Sequence, residues 1–170
     1  MMSPLTNWDP ELETPQPMVY APPKSRLPWE DRFKTPSVQN LREPYNKQLS
    51  NLLDTAREQF LSVTGVEERI SWQGVAWRWT LTYQAPDDPT RAWVYLIPHP
   101  EGPRIAMPMT EEMVEALPKR RLKKFVTDGI TSARRVGAMH WAVWEITNKT
   151  NLDDVMDLAR RKLKSYTPDD

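Results

Sequence analysis

Residues 68–83, Glu68-Arg69-Ile70-Ser71-Trp72-Gln73-Gly74-Val75-Ala76-Trp77-Arg78-Trp79-Thr80-Leu81-Thr82-Tyr83, read as strand. Ile70 and Trp72, then Val75, Trp77, Trp79, Leu81 and Tyr83, alternate with polar neighbours. Successive strand side chains point to opposite faces, so this period of two predicts one apolar and one polar face. The phase slips at Gly74, which predicts a turn between two strands or a bulge within one. The expected product is an antiparallel sheet with helices on a single side.

Upstream, Tyr45, Leu49, Leu52, Leu53, Ala56, Phe60 and Val63 form one helical stripe, with Pro44 near its first turn and Gly65 placed to end it. Downstream, residues 85–90 (APDDPT) read as a turn, and residues 91–97 (RAWVYLI) as a strand buried from both sides. Arg104 to Met109 reads as a shorter strand, placed by Pro108 at an edge or a strand end. Thr110 caps a short helix with Glu111 and Glu112 in its first turn. Pro118 opens a second helical segment, carrying Leu122, Phe125, Val126, Gly129, Ile130 and Ala133 and closing near Gly137. Residues 139–147 form a last strand, and Asn151 caps a final helix. The order α-β-β-β-β-α-α-β-α predicts an α+β two-layer sandwich, with a mainly antiparallel sheet of about five strands.

The first 43 residues obey different physics. Prolines at 4, 10, 15, 17, 22, 23, 28 and 36, with Pro44 just beyond, deny this arm a lasting ladder or helix. It nevertheless carries Val19, Tyr20, Leu27, Trp29, Phe33, Val38 and Leu41, more apolar anchors than a purely solvating tail holds. Leu27, Trp29 and Phe33 are expected to pin the arm to its own domain or to a partner. The organisation read here is an arm over 1–43, a domain over 44–167 and a tail over 168–170.

Composition excludes several function classes. There is no cysteine, which removes disulfides, thiolate metal sites and a cysteine nucleophile. Lys plus Arg equals Asp plus Glu, 23 against 23, so no global field steers the chain to nucleic acid or an anionic membrane. No apolar run approaches the roughly 18 residues of a membrane span, and a cytoplasmic location is expected. The five glycines, at 65, 74, 102, 129 and 137, are too scattered for a phosphate-cradling loop. The two histidines, His99 and His140, lack metal-ligand spacing, so neither a metal site nor another cofactor is expected. Carboxylate doublets such as Glu67-Glu68 and Asp153-Asp154 are adjacent in sequence and do not face each other as acid and base. The basic runs at 118–124 and 160–164 follow acidic clusters on their own helical segments, as dipole complementarity produces without a ligand, so nucleic acid is not an expected partner.

Eight tryptophans remain. If Trp77 and Trp79, which share a parity, both face the helices, the two-sided strand shows either Ala92, Val94 and Leu96 or Trp93, Tyr95 and Ile97 on the other face. Either set lies beside Arg78 and Thr80, a mixed apolar and polar face that reads as a binding surface or a seat for the arm.

The stretch Glu67 to Trp77, with its E-x-I, aromatic and glycine pattern, resembles the YdhG-like superfamily, as do residues 134–164. Gln73 stands between the aromatic and the glycine, a departure from that pattern. The resemblance covers residues 45–166 and implies a fold, with most members domains of unknown function. One branch resembles frataxin-like iron chaperones, which makes iron a possible partner, although no ligand carries over position by position. The expected function is therefore a non-catalytic binding or assembly module that uses the arm, with a protein partner or self-association, and the Trp-rich sheet. Its binding residues are Trp29, Phe33, Arg78, Trp93 and His99. Iron delivery, and an enzyme of unknown reaction with a pocket near Trp93 and His99, are the alternatives.

Overall fold

The computed structural model describes residues 27–86 and 88–166; the anchors Val19 and Tyr20 and the tail 168–170 lie outside them. In chain order the elements are α1 (Val38–Arg42), α2 (Lys47–Leu61), β1 (Glu68–Trp72), β2 (Trp79–Ala85), β3 (Asp88–Ile97) and β4 (Arg104–Thr110), then α3 (Glu111–Ala116), α4 (Lys124–Thr131), β5 (Arg134–Val136), β6 (Met139–Glu145) and α5 (Lys149–Tyr166). The strands form one six-stranded antiparallel sheet in the order β1-β2-β3-β4-β6-β5. The fold is α+β.

The helix layer is built from the predicted stripes. In α2, Asn46 caps the first turn by accepting from the Leu49 amide, and Leu52, Leu53, Ala56 and Phe60 are buried. Phe60 packs on Tyr83 and edge-on against Trp93, with ring centroids 4.9 and 5.4 Å apart. Helix α5 buries Leu152, Val155, Met156 and Ala159, and the Ala159 carbonyl accepts the Trp93 indole N–H at 2.8 Å. Helix α4 lies so close to β6 that a Cβ at Gly129 would overlap the Trp144 indole. That indole donates to the Val126 carbonyl at 3.2 Å. At the other edge, Arg57 on α2 grips Glu68 on β1 through two hydrogen bonds of 2.8 and 2.9 Å, and Tyr83 donates to the same carboxylate at 2.7 Å.

Three expectations need correction. The helical segment read from Pro118 to Gly137 breaks into a turn, the short α4 and the sixth strand, β5. The Ser132 hydroxyl bonds back to the Asp128 carbonyl at 2.7 Å, and Gly137, at φ +60°, turns the chain through a two-residue hairpin so that Val136 faces Met139 across the ladder. The cap of α5 is Asn148, which accepts from the Asn151 amide at 2.8 Å, and not Asn151. Pro108 lies in β4, between β3 and β6 in the sheet order, rather than in an edge strand. It is tolerated there because β3 pairs with β4 only over Arg104 to Ala106, so at Pro108 the strand has a ladder on the β6 side alone.

The beginning of the domain is the described part of the arm. The Trp29 carbonyl accepts from the Trp79 amide at 3.2 Å, and the Trp79 indole donates to the Asp31 carbonyl at 2.6 Å. Trp29 is 1% exposed and packs on Tyr45 with centroids 5.5 Å apart. Burying that indole contributes about 4 kcal/mol, enough to hold a proline-interrupted segment in place.

Candidate functional site

Helices cover one face of the sheet, and the other is shaped by the connection between β1 and β2. Gln73 donates to the Arg78 carbonyl at 2.8 Å and Arg78 to the Gly74 carbonyl at 2.7 Å, closing residues 73–78 into a tight loop. Gly74 takes φ +87°, where a Cβ is disfavoured, and Arg78 takes φ +61°. A non-glycine residue in that region costs about 1 kcal/mol. The Arg78 guanidinium offsets it with an ion pair to Glu30 at 2.7 Å. This left-handed residue breaks the alternation between Trp77 and Trp79. Trp79 packs edge-on against Trp72 on the helix side at 5.8 Å, while Trp77 crosses to the helix-free face.

There Trp77 meets Tyr95 of β3 and Trp141 of β6, with centroids 5.4 and 5.6 Å away, and Tyr95 and Trp141 lie 5.7 Å from each other. Tyr95 reaches this face through a second irregularity. Tyr83 pairs with Val94 and Gln84 with Ala92, so Trp93 is the extra residue of a bulge. Trp93 and Val94 both turn to the helices, leaving Ala92, Tyr95 and Ile97 on the open side. Neither of the two expected face assignments for this strand holds, because a bulge lets consecutive residues share a face. Burial alone pushes the Tyr95 hydroxyl pKa up.

The aromatic trio stands between two hollows. One, of about 720 Å³, opens where β3 and β4 stop pairing and includes Ala92, Pro108 and Met113 in its wall. Beneath it, the Lys162 ammonium of α5 donates to the Trp93 and Ala92 carbonyls at 2.8 and 3.3 Å, serving backbone acceptors beyond the β3–β4 ladder. The other hollow, of about 330 Å³, lies between the 73–78 loop and the turn after β3, and its wall includes Trp29, Trp77, Arg78, His99 and Arg104.

Two side chains in the wall of the smaller hollow carry nitrogens buried away from it. Arg104 pairs one arm with Glu145 at 2.8 Å, while its Nε is buried without a hydrogen-bond partner. The buried Trp29 Nε1 is likewise unpaired. The Tyr45 hydroxyl donates to the His99 carbonyl at 2.7 Å and receives the His99 amide at the same distance, fixing the turn. Burial raises the Tyr45 pKa to about 12. Burial first, then the nearby Arg104 charge, lowers the His99 pKa, so its ring is neutral at neutral pH. The Glu101 amide donates to His99 Nδ1 at 3.2 Å, which leaves the ring proton on Nε2.

Of the residues singled out in the sequence, the structure brings Trp29, Arg78 and His99 to one hollow. Trp93 lies on the opposite, helix-facing side, and Phe33 is 93% exposed. In the sequence Tyr95 stands out only as part of one possible face and Trp77 only by its parity with Trp79, while nothing singles out Trp141. Arg104 carried no signal at all, since nothing marks a lone arginine at a strand start. No family model matches the chain, and no curated protein matches it.

Proposed function

We propose that the chain is a non-catalytic binding module that takes its ligand on the helix-free face of the sheet. The observation that carries this reading is the trio Trp77, Tyr95 and Trp141, three half-buried rings in mutual contact between two hollows. Aromatic rings held rigidly at a concave surface present large contact area at little entropic cost, as ligand sites do. The arm contributes by packing in cis: Trp29 is used as wall and anchor, and Phe33 is its outward-facing residue. Support for a catalytic reading is thinner, because the His99 Nδ1 that would act as base is already engaged by a backbone amide. Iron delivery gains no site, since among the described residues no three His, Asp or Glu side chains gather to hold a metal ion.

The test is a fragment screen of indole and benzene derivatives against the full ¹⁵N-labelled chain, read on the indole N–H resonances. Those of Trp77 and Trp141 are expected to shift, while those of Trp93 and Trp144, bonded to helix carbonyls, stay in place. A screen that moved neither Trp77 nor Trp141, or moved mainly Trp93 and Trp144, would remove the proposal.

A further inference from the structure

We infer that residues 17–23 of the arm lie in cis across the Trp77, Tyr95 and Trp141 rings, a proline-rich ligand that the chain carries for its own sheet face. The inference rests on that face being the ligand surface and names the class of ligand it takes.

The face decides what kind of occupant fits. Tyr95 pairs with Thr82 on one side and Ala106 on the other, and Trp141 with Pro108 and Arg134. Both strands are thus partnered on each side at these rings, so an occupant adheres through side chains while its own backbone stays in water. A polyproline II segment suits this, because it makes no internal hydrogen bonds, keeps its carbonyls solvated and, at each proline, lacks a donor that the rings would desolvate. Proline-rich segments dock on aromatic-lined grooves in this way. The three rings are only half-buried, and the exposed side chains of Val75 and Val143 continue the apolar surface at the wall of the smaller hollow.

The chain supplies such a segment close at hand. Residues 15–23, Pro-Gln-Pro-Met-Val-Tyr-Ala-Pro-Pro, lie outside the described residues, which begin at Leu27. At three residues per turn, Pro17, Tyr20 and Pro23 would share one side of a polyproline II helix, about 19 Å long at 3.1 Å per residue. Crossing from β2 to β6, three strand spacings in the sheet order, takes about 14 Å. Trp29 marks where the arm arrives: its carbonyl accepts from the Trp79 amide at the start of β2, and its side chain shares the wall of the smaller hollow with Trp77 and Val143. From Leu27 back to Pro23, four residues reach about 13 Å, more than the width of a hollow of about 330 Å³. So short a tether acts as a millimolar local concentration, and a contact of only about 0.1 mM affinity is then closed about ten times more often than open.

The chain has no cysteine, so a nitroxide on a Met18→Cys chain reports the arm alone, from a residue off the Pro17, Tyr20 and Pro23 side. In that full ¹⁵N-labelled chain the indole resonances of Trp77 and Trp141 are expected to broaden more than those of Trp93 and Trp144, which are bonded to helix carbonyls. Mixing the nitroxide-bearing chain, without ¹⁵N, into dilute ¹⁵N-labelled wild-type chain should broaden neither pair, since the contact lies within one chain. A full-length Pro17→Ser, Tyr20→Ser, Pro23→Ser variant should bind indole fragments about tenfold more tightly than the wild type, because its face is uncovered. If that variant does not fold, the nitroxide experiment decides alone. Sharp Trp77 and Trp141 signals in the nitroxide-bearing chain, broadening only in the mixture, or equal fragment affinity of variant and wild type overturns the inference. If fragments still move Trp77 and Trp141 in any of those cases, the arm fails as the ligand and the sheet-face reading stands.

Discussion

Trp77 lies edge-on to Trp141 with ring centroids 5.6 Å apart, although Trp79, two residues later, packs against Trp72 on the other side of the sheet. Alternation puts residues two apart on the same face, so something between them must break it. Arg78 at φ +61° does so, and the ion pair to Glu30 in the arm holds it there. The arm therefore takes part in forming the candidate site as well as covering the core.

Trp77→Ala should cost about 1 to 2 kcal/mol, the worth of a half-buried ring with two aromatic partners, because the loop backbone is closed by its own hydrogen bonds. Urea unfolding checks this. A loss above about 4 kcal/mol, the scale of a core truncation, would mean that the ring belongs to the core rather than to a ligand surface.

Trp29→Ala should cost about 3 to 5 kcal/mol, since the side chain is 1% exposed, whereas Phe33→Ala, at 93% exposure, should change stability by less than about 0.5 kcal/mol. Equal effects in thermal or chemical unfolding would contradict the cis docking of the arm.

Gly129→Ala has opposite predictions from local and tertiary physics. Helix propensity alone gains about 1 kcal/mol from the change. The new methyl would overlap the Trp144 indole and disturb its bond to the Val126 carbonyl, so a net loss of about 2 kcal/mol is expected. The sign of the change in an unfolding curve decides.

Lys162 makes stability depend on pH. Burial pushes its pKa down from 10.5 to about 7, so between those values the unfolded chain binds the proton that the folded chain has released. Stability then rises with pH from about 7 toward 9.5, by on the order of 3 kcal/mol. Above pH 10 the curve turns down, because burial raises the pKa values of Tyr45 and Tyr83 and their ionisation then favours unfolding. Lys162→Met should abolish the rise while keeping the fall. Chemical unfolding across pH 6.5 to 9.5 that shows no difference in slope between the two proteins would refute this.

The helix stripes of α2 and α5 and the strands from Glu68 onward were legible in the sequence, because each depends on a period and a stop signal carried by neighbouring residues. The short β5 was hidden because Ile130 and Ala133 extended a helical spacing past the point where Ser132 and Gly137 end it. Three wall residues of the smaller hollow were visible as types, namely a tryptophan in a proline-rich arm, an arginine between two tryptophans and a histidine between two prolines.

By itself the sequence determined the class of fold, the docking potential of the arm and the absence of cysteine chemistry, since these follow from local pattern and composition. Only the tertiary structure decided which aromatic rings share a face. One left-handed residue at Arg78 and one extra residue at Trp93 each invert the parity of everything beyond them. Both are stabilised by contacts distant in the chain, Arg78 by Glu30 and Trp93 by Ala159, and no reading of neighbouring residues contains that information.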